Sequence, residues 1–240
     1  MFEADNELIK MDQKMDNVNT PVITIDGPAG SGKGTISQRV AKELGWNILD
    51  SGALYRLVAL AAQKKGVAID SDDSLSEIAD ALDVSFTPCE GGGVAILLEG
   101  DDVSLAIRSE DCGCAASKVA AVKPVRAALL ERQRRFLDLP GLVADGRDMG
   151  TVVFPDAKIK IFLTASAEIR AERRLKQLKE QGIDANLSGL IKDIKERDAR
   201  DTNRKNAPLI PADDAIIIDT GKSSIDEVVS QVMKAVKSAY

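Results

Sequence analysis

Short apolar segments alternate along the chain with longer segments whose apolar residues recur every three or four positions. The short segments are rich in Ile, Val and Leu and predict strands at residues 21–26, 46–50, 142–145, 158–164 and 215–220. The longer segments predict helices at residues 33–44, 53–65, 124–138, 167–181, 187–200 and 225–239. This alternation predicts an α/β fold with a five-stranded parallel sheet flanked by helices.

One part of the chain breaks the alternation. Residues 84–86 and 94–98 lie on either side of three consecutive glycines at 91–93, and a further short segment follows at 101–103. Closely spaced strands around a glycine turn are typical of a hairpin. We therefore expect a small antiparallel β insert within about residues 75–115.

The composition excludes several kinds of chemistry. The 240 residues carry 32 basic and 38 acidic side chains, for a net charge of −6, and 0 His. Without histidine there is no Ser-His-Asp triad, no Cys-His pair and no histidine metal ligand. The acidic balance argues against nucleic-acid binding by bulk charge. The 3 Cys are too few for a disulfide scaffold.

The first 20 residues are polar and acidic. They lack the apolar core and the cleavage site of a signal peptide, and no apolar run elsewhere has the length of a membrane span. We therefore expect residues 1–20 to be a disordered leader. We also expect a cytoplasmic protein that has no contact with a membrane, since few cysteines fit a reducing compartment.

A glycine-rich sequence joins the first predicted strand to the first predicted helix. Its glycines let backbone N–H groups point at phosphate oxygens, and the helix N-terminus adds a positive dipole. Lys33 would reach the outer phosphates, which is the pattern of a P-loop NTPase fold. Gly34 stands where Ser or Thr commonly holds Mg²⁺, and Thr35 comes one residue later. The loop consists of Gly27, Pro28, Ala29, Gly30, Ser31, Gly32, Lys33, Gly34 and Thr35.

The loop alone leaves GTPases, ATPases and small-molecule kinases open. No Asn-Lys-x-Asp sequence for reading guanine follows it, which disfavours a GTPase. The alternative to a phosphate-binding loop is a glycine-rich turn that binds no ligand. Lys33 and the strand and helix on either side of the loop argue against that alternative.

Charged residues follow two further strands of the predicted sheet. Ser51 and Arg56 come after the second strand, and Asp145, Arg147 and Asp148 come at the end of the third. Ligands of open parallel sheets bind at the carboxyl ends of the strands, so we expect these side chains in one crevice. The alternatives are a helix-capping role for Ser51 and a surface turn with a local ion pair at 145–148.

A third set of charges lies near the end of the helix predicted at 187–200. Arg197, Arg200, Asp201 and Arg204 are spaced so that they share one helix face. Clustered guanidiniums repel one another unless an anion lies between them, which favours an anion site. A solvated helix with ion pairs is the alternative.

Five stretches of the chain resemble bacterial cytidylate kinases, a family of nucleoside monophosphate kinases: ITIDGPAGSGKGT, LDSGALYR, LPGLVADGRDMGTVVFPDA, IKERDARDTNR and APLIPADDA. The resemblance covers about residues 20–238, and in this family glycine follows the loop lysine. It implies transfer of the γ-phosphoryl of ATP to CMP or dCMP by one domain at residues 21–240. Within that domain it implies a CMP-binding insert at about 75–115 and a helical lid at about 182–208.

The resemblance also implies roles for individual residues. The loop at 27–35 would hold ATP, with Mg²⁺ as a further cofactor and Thr35 as its candidate ligand. Catalysis would involve Lys33, Arg147, Arg200 and Arg204. The substrates CMP and dCMP would contact Ser51, Tyr55, Arg56, Ser117, Arg126, Arg147, Asp148, Arg197 and Asp201. The family pattern implies a monomer with no nucleic-acid partner.

The missing histidine agrees with this chemistry. A phosphate monoester has a second pKa of about 6, so the acceptor is already an anionic nucleophile and needs no general base. The obstacle is repulsion between two polyanions, which arginines and Mg²⁺ offset. Asp148 would accept a hydrogen bond from the cytosine amino group, and Ser117 and Arg126 would donate to the base. A UMP or AMP kinase, an ATPase switch and an inactive binding module remain alternatives.

Overall fold

A sheet of five parallel strands forms the centre of the molecule. The computed structural model describes residues 20–69, 71–88, 94–180 and 182–240. The strands are β1 (Val22–Asp26), β2 (Asn47–Asp50), β6 (Leu142–Gly146), β7 (Ile159–Thr164) and β8 (Ile216–Asp219). Their order across the sheet is β2-β6-β1-β7-β8. The predicted parallel sheet is confirmed, and the bounds of each strand differ from the prediction by no more than one residue.

A second, antiparallel sheet lies between the second and third strands of the main sheet in the sequence. It consists of β3 (Val84–Pro88), β4 (Val94–Leu98) and β5 (Asp101–Asp102). The predicted small antiparallel β insert is therefore confirmed, while its extent over 75–115 stays a prediction. The glycines at 91–93 and the predicted leader up to residue 19 lie outside the described residues.

Helices cover both faces of the parallel sheet. None of those in the described ranges has the length and apolar character that a membrane span needs. A short 3₁₀ helix at Ala106–Arg108 and a π-helical turn at Met149–Val153 complete the framework. The helices are α1 (Lys33–Leu44), α2 (Ser51–Lys64), α3 (Asp72–Asp80), α4 (Glu110–Val119), α5 (Lys123–Arg134), α6 (Ala167–Glu180), α7 (Leu187–Asn203) and α8 (Ile225–Ala239).

The sheet separates two apolar clusters because successive residues of a buried strand point to opposite faces. Ile23 of β1 packs in a cluster with α1 and α8. Its neighbour Val22 packs in the opposite cluster, which includes α2, α4 and α5. Fully buried Leu54 and Leu129 lie in this second cluster. The packing therefore fixes α2 and α5, which carry predicted site residues, against the sheet.

The carboxyl ends of β1, β2 and β6 lie side by side. Asp26 at the end of β1 pairs with Gly146, and Asp50 at the end of β2 pairs with Asp145. Each of these strands leads directly into one of the charged or glycine-rich segments identified in the sequence. The parallel topology therefore brings the three segments to one edge of the sheet.

Candidate active site

The glycine-rich loop forms a tight turn between β1 and α1. Gly27 has φ 149°, and a Cβ at this position would lie 2.2 Å from the carbonyl oxygen of Leu163. Only glycine fits such a close approach to another strand. Ala29, Gly30 and Lys33 of the loop line a cavity at the carboxyl edge of the sheet. Thr35 is exposed on the first turn of α1.

Side chains from distant parts of the chain hold this loop from behind. The Thr220 hydroxyl donates to the Ser31 carbonyl at 2.9 Å. Arg170, which is only 3% exposed, donates to the Ala29 carbonyl at 2.9 Å and forms an ion pair with Asp198 of α7. Neither Thr220 nor Arg170 belongs to a recognisable motif, so the sequence gives no signal for these supporting roles.

Lys33 is buried beside the carboxylates of the sheet edge. Its ammonium group donates to the Pro28 carbonyl at 2.9 Å. Burial lowers the pKa of Lys33, nearby Arg147 lowers it further, and Asp145 opposes the shift. Burial likewise raises the pKa of Asp145. Burial and the neighbouring arginine thus disfavour the charged form of Lys33, and a bound anion would oppose both effects.

Asp26 links the end of β1 to the loop that follows β6. Its carboxylate accepts hydrogen bonds from the backbone N–H groups of Met149 at 2.9 Å and Gly150 at 2.8 Å. Burial raises the pKa of Asp26 to about 6, although these two hydrogen bonds oppose the shift. Asp26 therefore ties the P-loop strand to the segment that carries Arg147 and Asp148.

The side chains of Asp50 and Ser51 have different partners at the start of α2. The carboxylate of Asp50 accepts from the Ala53 N–H at 3.1 Å and caps the helix. The Ser51 hydroxyl is therefore not the cap, and it donates instead to Oε1 of Gln133 at 3.1 Å. Ser51 and Tyr55 both line the cavity, as expected for residues one helical turn apart.

Arg56 reaches the cavity from the same helix. One guanidinium nitrogen donates to the carbonyl oxygens of Ile107 at 2.6 Å and Ser109 at 3.1 Å. The guanidinium lies against Gly113 of α4, where a Cβ would come within 2.9 Å of it. The region between β5 and α4 therefore positions this arginine.

Arg126, Asp148 and Arg204 meet on the deep side of the cavity. Asp148 forms an ion pair with Arg126, and a nitrogen of Arg204 lies 3.6 Å from its other oxygen. Arg126 also stacks over the ring of Tyr55, 5.5 Å from the ring centroid. Asp148 is only 2% exposed. A carboxylate so deeply buried between two cations is held in a fixed orientation, which suits selective recognition of a donor group.

Asp201 joins α7 to the rest of the site. It accepts from the Ser117 hydroxyl at 2.9 Å and from Nε of Arg147 at 3.0 Å. Burial acts to raise the pKa of Asp201, but the charges of Arg147 and Arg197 outweigh it and hold that pKa below its usual range. Burial lowers the pKa of Arg197, and repulsion from Arg147 adds to the effect.

Arg200 is placed differently from the other predicted residues. It is exposed on α7 and is not among the residues that line the cavity, whereas Arg197 and Asp201 on the same helix are. Arg204, just beyond the last turn of α7, also lines the cavity. The catalytic role of Arg200 stays a prediction.

The cavity has more positive than negative side chains. Burial lowers the pKa of Arg204 as well, and repulsion from Arg126 contributes. Mutual repulsion among buried cations would be relieved by a polyanion bound between them. The cationic lining residues are Lys33, Arg56, Arg126, Arg147, Arg197 and Arg204, and the acidic ones are Asp50, Asp145, Asp148 and Asp201.

A P-loop that opens into a cavity lined by arginines, at the carboxyl edge of a parallel sheet, defines a P-loop protein with a site for phosphorylated ligands. The family model for cytidylate kinase matches residues 23–238. The chain belongs to the cytidylate kinase family.

Individual relatives agree with this family. A cytidylate kinase from Shewanella sediminis is 60% identical over 87% of this chain and 91% of its own length. Those from Stutzerimonas stutzeri and Shewanella loihica are 58% and 56% identical, each over 90% of this chain, and over 95% and 94% of their own lengths. Among solved structures, a gluconokinase from Sinorhizobium meliloti is 15% identical with a TM-score of 0.45, covering 92% of this chain and 93% of its own.

Proposed function

We propose that the protein transfers the γ-phosphoryl group of ATP to CMP and dCMP, giving ADP with CDP or dCDP. The observation that carries this proposal is the convergence of Lys33 and five arginines on one cavity beside the P-loop. Two nucleotides bring about six negative charges to such a site, which is more than any single monophosphate ligand would bring. The family of the chain supports the same conclusion.

The donor nucleotide would occupy the P-loop side. The backbone of 27–35 and the N-terminus of α1 would hold the ATP phosphates, and Lys33 would exchange its bond to the Pro28 carbonyl for a bond to them. Mg²⁺, when bound, would neutralise charge on the ATP phosphates. The oxygens of Thr35 and Asp145 are hard ligands of the kind Mg²⁺ prefers, and Asp145 lines the cavity next to Gly34.

The acceptor phosphate would lie opposite, among Ser51, Arg56 and Arg147. Guanidinium groups pair bidentately with phosphate oxygens, so two arginines can hold this group and orient one oxygen toward the γ-phosphorus. Arg197 and Asp201 would contact the ribose side of the acceptor. Arg204 lines the cavity and would neutralise charge on the transferring group. Arg200 would join it only if α7, part of the proposed lid at 182–208, moved toward the cavity.

The base would lie on the deep side of the cavity. Cytosine presents an amino donor where uracil presents a carbonyl acceptor, and the buried carboxylate of Asp148 can only accept when ionised. Arg126 and Ser117 would donate to the ring nitrogen and carbonyl of the base. The proposed insert at 75–115 together with α4 would close this side.

The reaction needs no general base from the protein. An oxygen of the acceptor phosphate forms a bond to the γ-phosphorus while the bond from that phosphorus to the β–γ bridging oxygen breaks. ADP leaves with the bridging oxygen, and no proton has to be removed from the nucleophile. Positioning and neutralisation of charge by the arginines would supply the catalysis.

A panel of acceptors tests the proposal. ADP production is measured with Mg-ATP and, separately, CMP, dCMP, UMP, AMP and GMP. We expect strong turnover with CMP and dCMP and weak turnover with the others. A preference for UMP or AMP would overturn the assignment of the base site. ADP production that does not depend on any monophosphate would overturn the whole acceptor site in favour of an ATPase.

A further inference from the structure

Gln133 is a buried polar side chain directly behind the acceptor site. It lies on α5, is 1% exposed and does not line the cavity. Its neighbours Val125 and Leu129 on the same helix are part of an apolar cluster. A glutamine amide in such surroundings loses its hydration, so it has to be stabilised by specific partners.

The partner of Gln133 is a residue of the proposed acceptor site. The Ser51 hydroxyl donates to Oε1 of Gln133 at 3.1 Å. One turn further along α2, the Tyr55 hydroxyl is buried and has no partner at hydrogen-bond geometry among the described residues. Gln133 lies close enough to Tyr55 to oppose, as a minor contribution, the burial that raises the pKa of that hydroxyl.

This hydrogen bond is directed the wrong way for binding a phosphate. A serine hydroxyl has one proton to donate, and in the structure Ser51 donates it in a hydrogen bond to Gln133. The lone pairs of Ser51 are then left for the cavity, where a phosphate dianion also offers only lone pairs. Ser51 can donate to the acceptor phosphate only after its hydroxyl group turns away from Oε1 of Gln133.

We propose that Gln133 is a positioning residue for the acceptor phosphate. A half-turn of its amide replaces Oε1 by Nε2 with little movement of the heavy atoms. The amide then donates to Ser51 Oγ, and the Ser51 proton is directed at the phosphate. In a chain of hydrogen bonds each donor strengthens the next, so Gln133 also makes Ser51 a better donor. This inference rests on the proposed function.

The first test replaces Gln133 by methionine, which has a similar size and cannot hydrogen-bond to Ser51. We expect the KM for CMP to rise about five-fold, the effect of one neutral hydrogen bond, and the KM for ATP to change less than about two-fold. Leu129→Met is the control, because it alters the core of the same helix without touching Ser51. It should leave both KM values unchanged.

A double-mutant cycle with Ser51→Ala separates positioning from simple packing. In the Ser51→Ala background, Gln133→Met should change the KM for CMP by less than about two-fold, because its only route to the phosphate is gone. If instead the KM of the double variant rises by the product of the two single fold-changes, Gln133 acts independently of Ser51 and the inference is overturned. Circular dichroism shows whether each variant folds. If Gln133→Met does not fold, the cycle is run with Gln133→Asn, whose amide is too short to reach Ser51.

The direction of the hydrogen bond has its own test. In Gln133→Glu an ionised carboxylate can only accept, so the Ser51 proton stays turned away from the phosphate. We expect the KM for CMP to rise at least about ten-fold above that of Gln133→Met, since a buried charge now also faces the phosphate. A Gln133→Glu enzyme that is as good as the methionine variant would contradict the proposed reversal.

The wild-type enzyme in the same assay distinguishes a failure of the proposed function from a failure of the role of Gln133. No CMP-dependent ADP production by the wild type would overturn the proposed function and this inference with it. Suppose that the wild type shows CMP-dependent activity and that the fold-changes of Gln133→Met and Ser51→Ala multiply in the double variant. This result would overturn only the role of Gln133.

Discussion

At the residue scale, the proposed selectivity for cytosine rests on the buried position of Asp148. It lies between the guanidiniums of Arg126 and Arg204, and 2% of it is exposed. Its two oxygens each lie beside a guanidinium, and these contacts hold the carboxylate in place. An ionised carboxylate accepts hydrogen bonds and never donates them, so we propose that Asp148 accommodates the amino group of cytosine and repels the carbonyl of uracil.

We predict that Asp148→Asn lowers the ratio of kcat/KM for CMP to kcat/KM for UMP by about 10-fold or more. An asparagine amide can present either a donor or an acceptor, so it tolerates both bases. Steady-state kinetics with the two substrates measures the ratio. The control is Asp156→Asn, because Asp156 is an exposed aspartate that also follows β6. An unchanged ratio with reduced turnover would mean that Asp148 only holds the two arginines.

The sequence identified most residues of the cavity but not the ones behind it. Lys33, Arg147 and Asp148 belong to short segments with a recognisable spacing next to strands. Gln133 and Arg170 act from within ordinary amphipathic helices, where nothing in the pattern separates them from solvated residues. Their roles depend on side-chain contacts across 82 and 141 positions of the chain, which a local pattern cannot contain.

At the scale of elements, α4 is the helix that the pattern did not predict and that the site needs. Its sequence, EDCGCAASKV, contains a glycine and few strong apolar residues. The helix forms because the Ser109 hydroxyl caps its first turn and because it packs against α2. Tertiary packing here overrides weak helical propensity. α3 was missed in a similar way, since it is short and buries only Leu75, Ile78 and Ala79.

Gly113 of α4 leads to a prediction in which stability and function move apart. In Gly113→Ala the new methyl group would lie 2.9 Å from the Arg56 guanidinium, which is the flexible end of its side chain and can move away. We expect the KM for CMP to rise about five-fold because Arg56 is displaced from the phosphate. The free energy of unfolding should change by less than ~1 kcal/mol, because the better helix propensity of alanine offsets the loss of hydrogen bonds from Arg56.

Kinetics and urea denaturation of Gly113→Ala are compared with those of Cys114→Ala, the next residue on the same helix. The cysteine variant should keep the wild-type KM for CMP. A Gly113→Ala protein that is less stable and binds CMP normally would show that Gly113 serves the packing of α4 and not the position of Arg56.

At the scale of the whole molecule, an acidic protein encloses a cationic cavity. The net charge is −6, yet among the described residues six cationic and four acidic side chains line the cavity. The parallel topology contributes to this contrast, because it brings the ends of β1, β2 and β6 together, and Arg197 and Asp201 of α7 line the same cavity. The alternation of strands and helices was sufficient to predict a parallel sheet but not the order of its strands. The side-chain partners inside the cavity required the structure.

We propose that one cavity binds two nucleotides and that a phosphoryl group passes directly between them. Anion-exchange chromatography of a reaction of the wild-type protein with ATP, Mg²⁺ and CMP tests this proposal, because it separates ADP from CDP and CMP in one sample. We expect ADP and CDP to appear in equal amounts as ATP and CMP disappear. Formation of ADP and inorganic phosphate with CMP unchanged would contradict phosphoryl transfer from ATP to CMP.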